Sequence, residues 1–264
     1  MDSDGCVMNT MDIKHINCFG PCLIEEWALQ PWQKAILDRW NKINLYNITR
    51  GINRFKGLSL ILSEINERYK PIEGVKVFAE WVKKSPTLSE EGIIKAIEDG
   101  KDEDIFKKAL SWSKQVNRKV AKLREEDKLP FPLAKEALQL SSSFADIAMV
   151  SSANRQSVID EWASNGLLGY VDVILTQNDG SKADCIGKLI NKGYEKERVI
   201  MCGDAVNDLN AAKANLILFY PIIAGEESKS WQEFIDNGLA RLIDGSYKKY
   251  EEQMVIKFYN NLNK

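Results

Sequence analysis

The chain has 264 residues, 44% of them apolar, and a formal net charge of −2. That length supports one large domain or two modest ones, each with a core of its own. The near balance of charge excludes a general pull toward nucleic acid or an acidic membrane, so any anion-binding site must be local.

The chain opens on Asp2-Ser3-Asp4-Gly5-Cys6-Val7. No basic region and apolar core follow Met1, so this is not a signal peptide. From 17 to 140 the pattern is helical. Ile36, Leu37, Trp40 and Ile43 recur at i, i+1, i+4, i+7, and Leu58, Ile61, Leu62 and Ile65 at i, i+3, i+4, i+7. Each set makes one face of a helix. Residues 101–128 carry many charges and a thin apolar stripe, which predicts a surface helix ending before Pro130 and Pro132.

From about 145 the rhythm changes. Short apolar runs at 147–150, 171–175, 199–202 and 216–220 alternate with helical stretches at 154–165, at 182–192 and from 207. This alternation predicts a parallel sheet covered on both faces. Ligands gather at the carboxyl ends of such strands. No run is long enough to span a bilayer. The five cysteines, Cys6, Cys18, Cys22, Cys185 and Cys202, are odd in number and scattered. They read as packing thiols of a reducing cytoplasm.

Four polar clusters stand where chemistry is expected: the opening Asp2-Ser3-Asp4; Ser151-Ser152-Ala153-Asn154; Lys182; and Gly203-Asp204-Ala205-Val206-Asn207-Asp208. Taken singly, each has a bland alternative. Asp-x-Asp can be a turn, Ser151 a helix cap, Lys182 a solvated cation, and Asp204 with Asp208 a helix start. Together the carboxylates are too negative to stand alone, because like charges held close oppose ionisation. A hard divalent cation with oxygen ligands resolves this, and magnesium is the usual choice where phosphate supplies a further ligand. Lys182 can balance a phosphate. Ser151 and the backbone N–H groups after it can bind phosphate oxygens.

In this order the clusters resemble the four motifs of haloacid dehalogenase-like hydrolases, most specifically over 199–208, VIMCGDAVND. The resemblance implies an α/β fold: a three-layer Rossmann-like core with a parallel sheet, plus an all-helical C1-type cap. Residues 1–16 with 141–264 would form the core and 17–140 the cap. It implies Asp2 as nucleophile, Asp4 as general acid and then base, and Ser151 and Lys182 as holders of the phosphoryl group. Asp2, Asp4, Asp204 and Asp208 would be the magnesium site. Ser152 and Asn154 would contact substrate. An aspartate at position 4 points to hydrolysis of a small phosphorylated metabolite, or to a phosphomutase with the same site. A third alternative is a catalytically impaired phospholigand-binding protein. The segment Thr49–Gly57, with Arg50, Arg54 and Lys56, resembles a specificity loop that meets an anionic substrate, or is a solvated turn. His15 is either a site residue or a packing residue. Members of this family place the nucleophile at the end of a buried strand. Only Met1 precedes Asp2 here. The expectation is therefore a missing first strand and a frayed Asp2, as in a fragment or a chain begun too far downstream.

Overall fold

A computed structural model of the chain describes residues 1–101 and 104–263. It forms two compact units. The first comprises Met1–Asp12, Tyr46–Gly51 and Arg124–Lys264; the second comprises Ile13–Leu45 and Ile52–Leu123. These edges differ from the expected 16/17 and 140/141. The reason for the later edge lies in backbone pairing. Asn9 N donates to Leu129 O and Phe131 N donates to Val7 O, both at 2.9 Å. Ala134, Ala137 and Leu138 then bury beside Val7 and Met8.

The first unit holds the strands. Ala148–Val150 (β1) pairs in parallel with Val173–Leu175 (β2), and Ile200–Gly203 (β3) with Leu218–Pro221 (β4). The first two residues of the chain join the pairs. The Met1 amino group donates to Ala148 O at 2.6 Å, and Val150 N donates to Met1 O at 2.8 Å. On the other side Asp2 N donates to Cys202 O at 2.9 Å. The expected frayed start is therefore corrected. Asp2 is buried, because backbone groups on both flanks satisfy the first residues.

Side chains alternate across the strands as a two-sided sheet requires. Met201 and Phe219 enter one apolar cluster with Ile186, Leu209 and Phe258. Cys202 and Tyr220 enter another with Trp162, Trp231 and Tyr247. Helices Arg155–Ser164, Lys182–Ile190 and Val206–Asn215 follow β1, β2 and β3 in turn. The unit is thus a parallel α/β fold, and each strand delivers its next residues to one edge of the sheet.

The second unit is helical. It contains Gly20–Glu26, Gln33–Asn44, Arg54–Arg68, Val75–Lys84, Glu90–Glu98 and Asp104–Ala121. The predicted stripes are its core: Ile36, Trp40, Ile43, Leu58, Ile61, Leu62 and Ile65 are all buried, with Leu37 packed against them. The expected surface helix at 101–128 needs correction. Residues 102–103 lie outside the described residues. Asp104–Ala121 buries Ile105, Phe106, Ala109, Trp112, Val116 and Val120. A charged sequence conceals that face because its apolar residues repeat at three- and four-residue steps.

Trp112 lies at the centre of this core, edge-on to Trp40 at 5.9 Å and to Phe55 at 6.3 Å between ring centroids. Its Nε1 donates to Phe19 O at 3.2 Å. Trp112→Ala is expected to cost about 3–5 kcal/mol in urea unfolding. A loss below about 1 kcal/mol would show that this cluster does not hold the helical unit together. All five cysteines are free and buried. Among the described residues no helix is long and apolar enough to cross a membrane.

Candidate active site

The edge of the sheet gathers three carboxylates and two cations, all from the first unit. Asp204 lies in the turn between β3 and helix Val206–Asn215. Asp208, in the first turn of that helix, accepts from Ala205 N through Oδ2 at 3.1 Å. This bond turns its carboxylate back toward the strand end. Lys182 begins the helix after β2, where Ser181 and Asp184 form a reciprocal capping box. Its Nζ pairs with Asp2 Oδ1 at 2.8 Å and also with Asp208 Oδ1. Arg50 Nε donates to Asp204 Oδ2 at 2.7 Å. One carboxylate oxygen each from Asp2, Asp204 and Asp208 lie within 4.8 Å of one another.

Burial dominates the electrostatics. It lifts Asp2 from 3.8 to about 6; Lys182 opposes the shift and Asp208 adds to it. Burial also lifts Asp204 from 3.8 to about 6, against the pull of Arg50. Asp208 is raised as well, again by burial first. Burial alone would lower Lys182, but the charges of Asp2 and Asp208 hold it above the usual lysine value. Among the described residues, Lys182 and Arg50 pair with these three carboxylates and offset part of their charge.

Asp204 shows where further charge fits. Its Oδ1 is buried and has no hydrogen-bond partner among the described residues. A buried anionic oxygen left so is costly. One carboxylate oxygen from each of three buried aspartates is a set that could hold a hard divalent cation.

Asp4 accepts from Thr10 Oγ1 through Oδ1 at 2.5 Å. Sequence reasoning missed Thr10. Thr10 is buried between the exposed Asn9 and the buried Met11, and a lone threonine there gives no sequence signal of its own. Gly5 follows with φ +81°; a Cβ there would lie 2.3 Å from Asp204 Oδ2 and 2.8 Å from Arg50 Nη2. The turn is therefore flush against the Arg50–Asp204 pair. Gly5→Ala meets both backbone strain and a clash, and is expected to lose at least about 1–3 kcal/mol of stability. Unchanged thermal unfolding would contradict that packing.

Ser151 follows β1 directly and is buried; its Oγ accepts from Ala153 N at 3.2 Å. The helix cap is Asn154, whose Oδ1 accepts from Ser157 N at 3.2 Å. Ser152 is exposed. Of the other expected contacts, His15, Arg54 and Lys56 belong to the helical unit. His15 stacks on Phe19 at 4.6 Å. Arg54 donates to Ser113 Oγ at 3.0 Å and Asn117 Oδ1 at 2.8 Å, and lies over the Phe19 ring. Lys56 is exposed.

No curated protein matches the sequence. Among solved structures, a predicted phosphoglycolate phosphatase from Haemophilus somnus 129pt is similar at 13% identity and TM-score 0.50, covering 89% of this chain and 94% of its own. A haloacid dehalogenase-like family hydrolase from Streptococcus pneumoniae is similar at 14% identity and TM-score 0.44, covering 88% of each chain. At 13% identity the Haemophilus somnus structure speaks for the fold alone. Residues 72–220, more than half of the chain, match the haloacid dehalogenase-like hydrolase family itself. The chain belongs to the haloacid dehalogenase-like hydrolases.

Proposed function

We propose that the chain is a magnesium-dependent phosphatase that hydrolyses a small phosphorylated metabolite through a phosphoaspartate. The carrying observation is the buried group of Asp2, Asp204 and Asp208, with an Asp204 oxygen unpartnered among the described residues and Lys182 bonded to Asp2. Asp2, Asp204 and Asp208, with Asp4, would hold the ion, which when bound offsets charge on the phosphoryl oxygens.

Asp2 attacks phosphorus and the ester P–O bond breaks. Asp4 gives its proton to the departing oxygen. Asp4, now a carboxylate, takes a proton from water, whose oxygen attacks the phosphoaspartate. Phosphate leaves and Asp2 is restored. Lys182 and Ser151 hold the phosphoryl oxygens throughout. Ser152 and Asn154 border that site, Asn154 by shaping the helix start.

The test is phosphate release from a panel of small phosphomonoesters, phosphoglycolate included, with magnesium and with a chelator. Turnover that needs magnesium is expected. No release from any ester by the folded, magnesium-supplied protein would overturn the reading. Isomerised sugar phosphate without free phosphate would replace it with a mutase.

A further inference from the structure

We infer that Arg50 is a positioning residue for Asp204: it fixes one carboxylate oxygen so that the other faces the metal. This rests on the reading of the acidic cluster as a magnesium site. Arg50 was expected in a loop that meets substrate. Its side chain is instead only 2% exposed, and it pairs with a carboxylate that is 1% exposed.

The two oxygens of Asp204 are divided. Oδ2 receives Arg50 Nε at 2.7 Å, while Oδ1 is buried with no hydrogen-bond partner among the described residues. A cation competing with the metal for the same atom would leave no such division. A planar guanidinium gives a directional bond that sets the carboxylate's rotation, which a mobile ammonium does less well. Partners behind a metal ligand act in this way.

Arg50 is itself held. Its Nη1 lies 3.9 Å from Asp12 Oδ1, and Tyr46 OH donates to Asp12 Oδ2 at 3.4 Å. The next residue, Gly51, has φ +68°, and a Cβ there would come within 2.7 Å of Ala205 Cβ. Segment 46–51 is thus pressed on the turn that carries Asp204. This contact explains why six residues from the middle of the helical stretch belong to the strand-bearing unit.

Magnesium binding to wild type, Arg50→Ala and Arg50→Lys, measured by titration calorimetry in the absence of substrate, tests this. Each variant is first checked for folding by circular dichroism. Arg50→Gln, which keeps more of the side chain, is read in place of alanine should that variant not fold. Arg50→Ala is expected to weaken magnesium binding by about 10–100-fold, and lysine to recover part of the loss. KM for the best ester, at saturating magnesium, is expected to stay unchanged. Equal or tighter magnesium binding in the variant would overturn the inference and make Arg50 a bystander or a competitor. A raised KM with unaltered magnesium affinity would also overturn it and return Arg50 to the substrate. Wild type that binds no magnesium would remove the metal reading itself, and this inference with it.

Discussion

Asp2→Asn is expected to reduce phosphate release by at least about 10⁴-fold while leaving the fold intact. The amide keeps the size of the carboxylate but cannot form the acyl phosphate. The structural consequences are small and have a predictable sign. Asp2 is a buried carboxylate whose protonation is favoured by burial and by Asp208. Removing its charge therefore relieves repulsion, and Lys182 keeps Asp208 as a partner. The variant should be inactive yet at least as stable as wild type in urea at neutral pH without magnesium. Asp4→Asn is expected to be milder, a loss of about 10²–10⁴-fold, because it removes proton transfer and not the nucleophile. Single-turnover kinetics and intact-protein mass measurement distinguish the two. A phosphorylated adduct should accumulate only where Asp2 is present. Asp2→Asn retaining more than about a tenth of the activity would exclude the covalent route.

The same residues show what could be read from sequence. The alternation of apolar runs with helices located the four strands among the described residues, since a buried parallel strand needs little more than a short apolar run. Asp204 and Asp208 were legible because they directly follow such a run, at a four-residue spacing that puts both on one side of a helix start. The fate of 46–51 was not legible. Its neighbours on both sides are helical, and its attachment depends on Gly51 meeting Ala205 and Arg50 meeting Asp204, partners more than 150 positions away. Segment 124–140 escaped for a similar reason. Its link to the strand unit begins with backbone pairing to residues 7–9, which carries no side-chain signature. The Met1–Asp2 pairing was hidden too, because two residues are too few to show a strand pattern.

Lys182→Met is expected to lose stability in a way that depends on pH. Lys182 is the cation bonded to both Asp2 and Asp208, and all three side chains are buried. Methionine fills similar space but leaves two buried carboxylates with their nearest counter-ion gone. Breaking a buried pair from one side costs about 3–5 kcal/mol. The deficit should depend on pH in a definite direction. Asp2 and Asp204 sit at about 6 when folded, above the 3.8 of an ordinary aspartate. Between those values the folded protein binds more protons than the unfolded chain. Their contribution to stability is therefore present below about pH 4 and is lost as pH rises through 6. Removing Lys182 raises the carboxylates further, so the loss should deepen toward neutral pH. Urea unfolding of both proteins at about pH 5 and about pH 7.5, without magnesium, measures this. The difference between wild type and variant should be largest at the higher pH and shrink at the lower, where protons replace the missing cation. Magnesium should recover part of it near pH 7.5, by binding the carboxylates that Lys182 no longer neutralises. A deficit equal at both pH values and indifferent to magnesium would mean that Lys182 supports the site through packing alone.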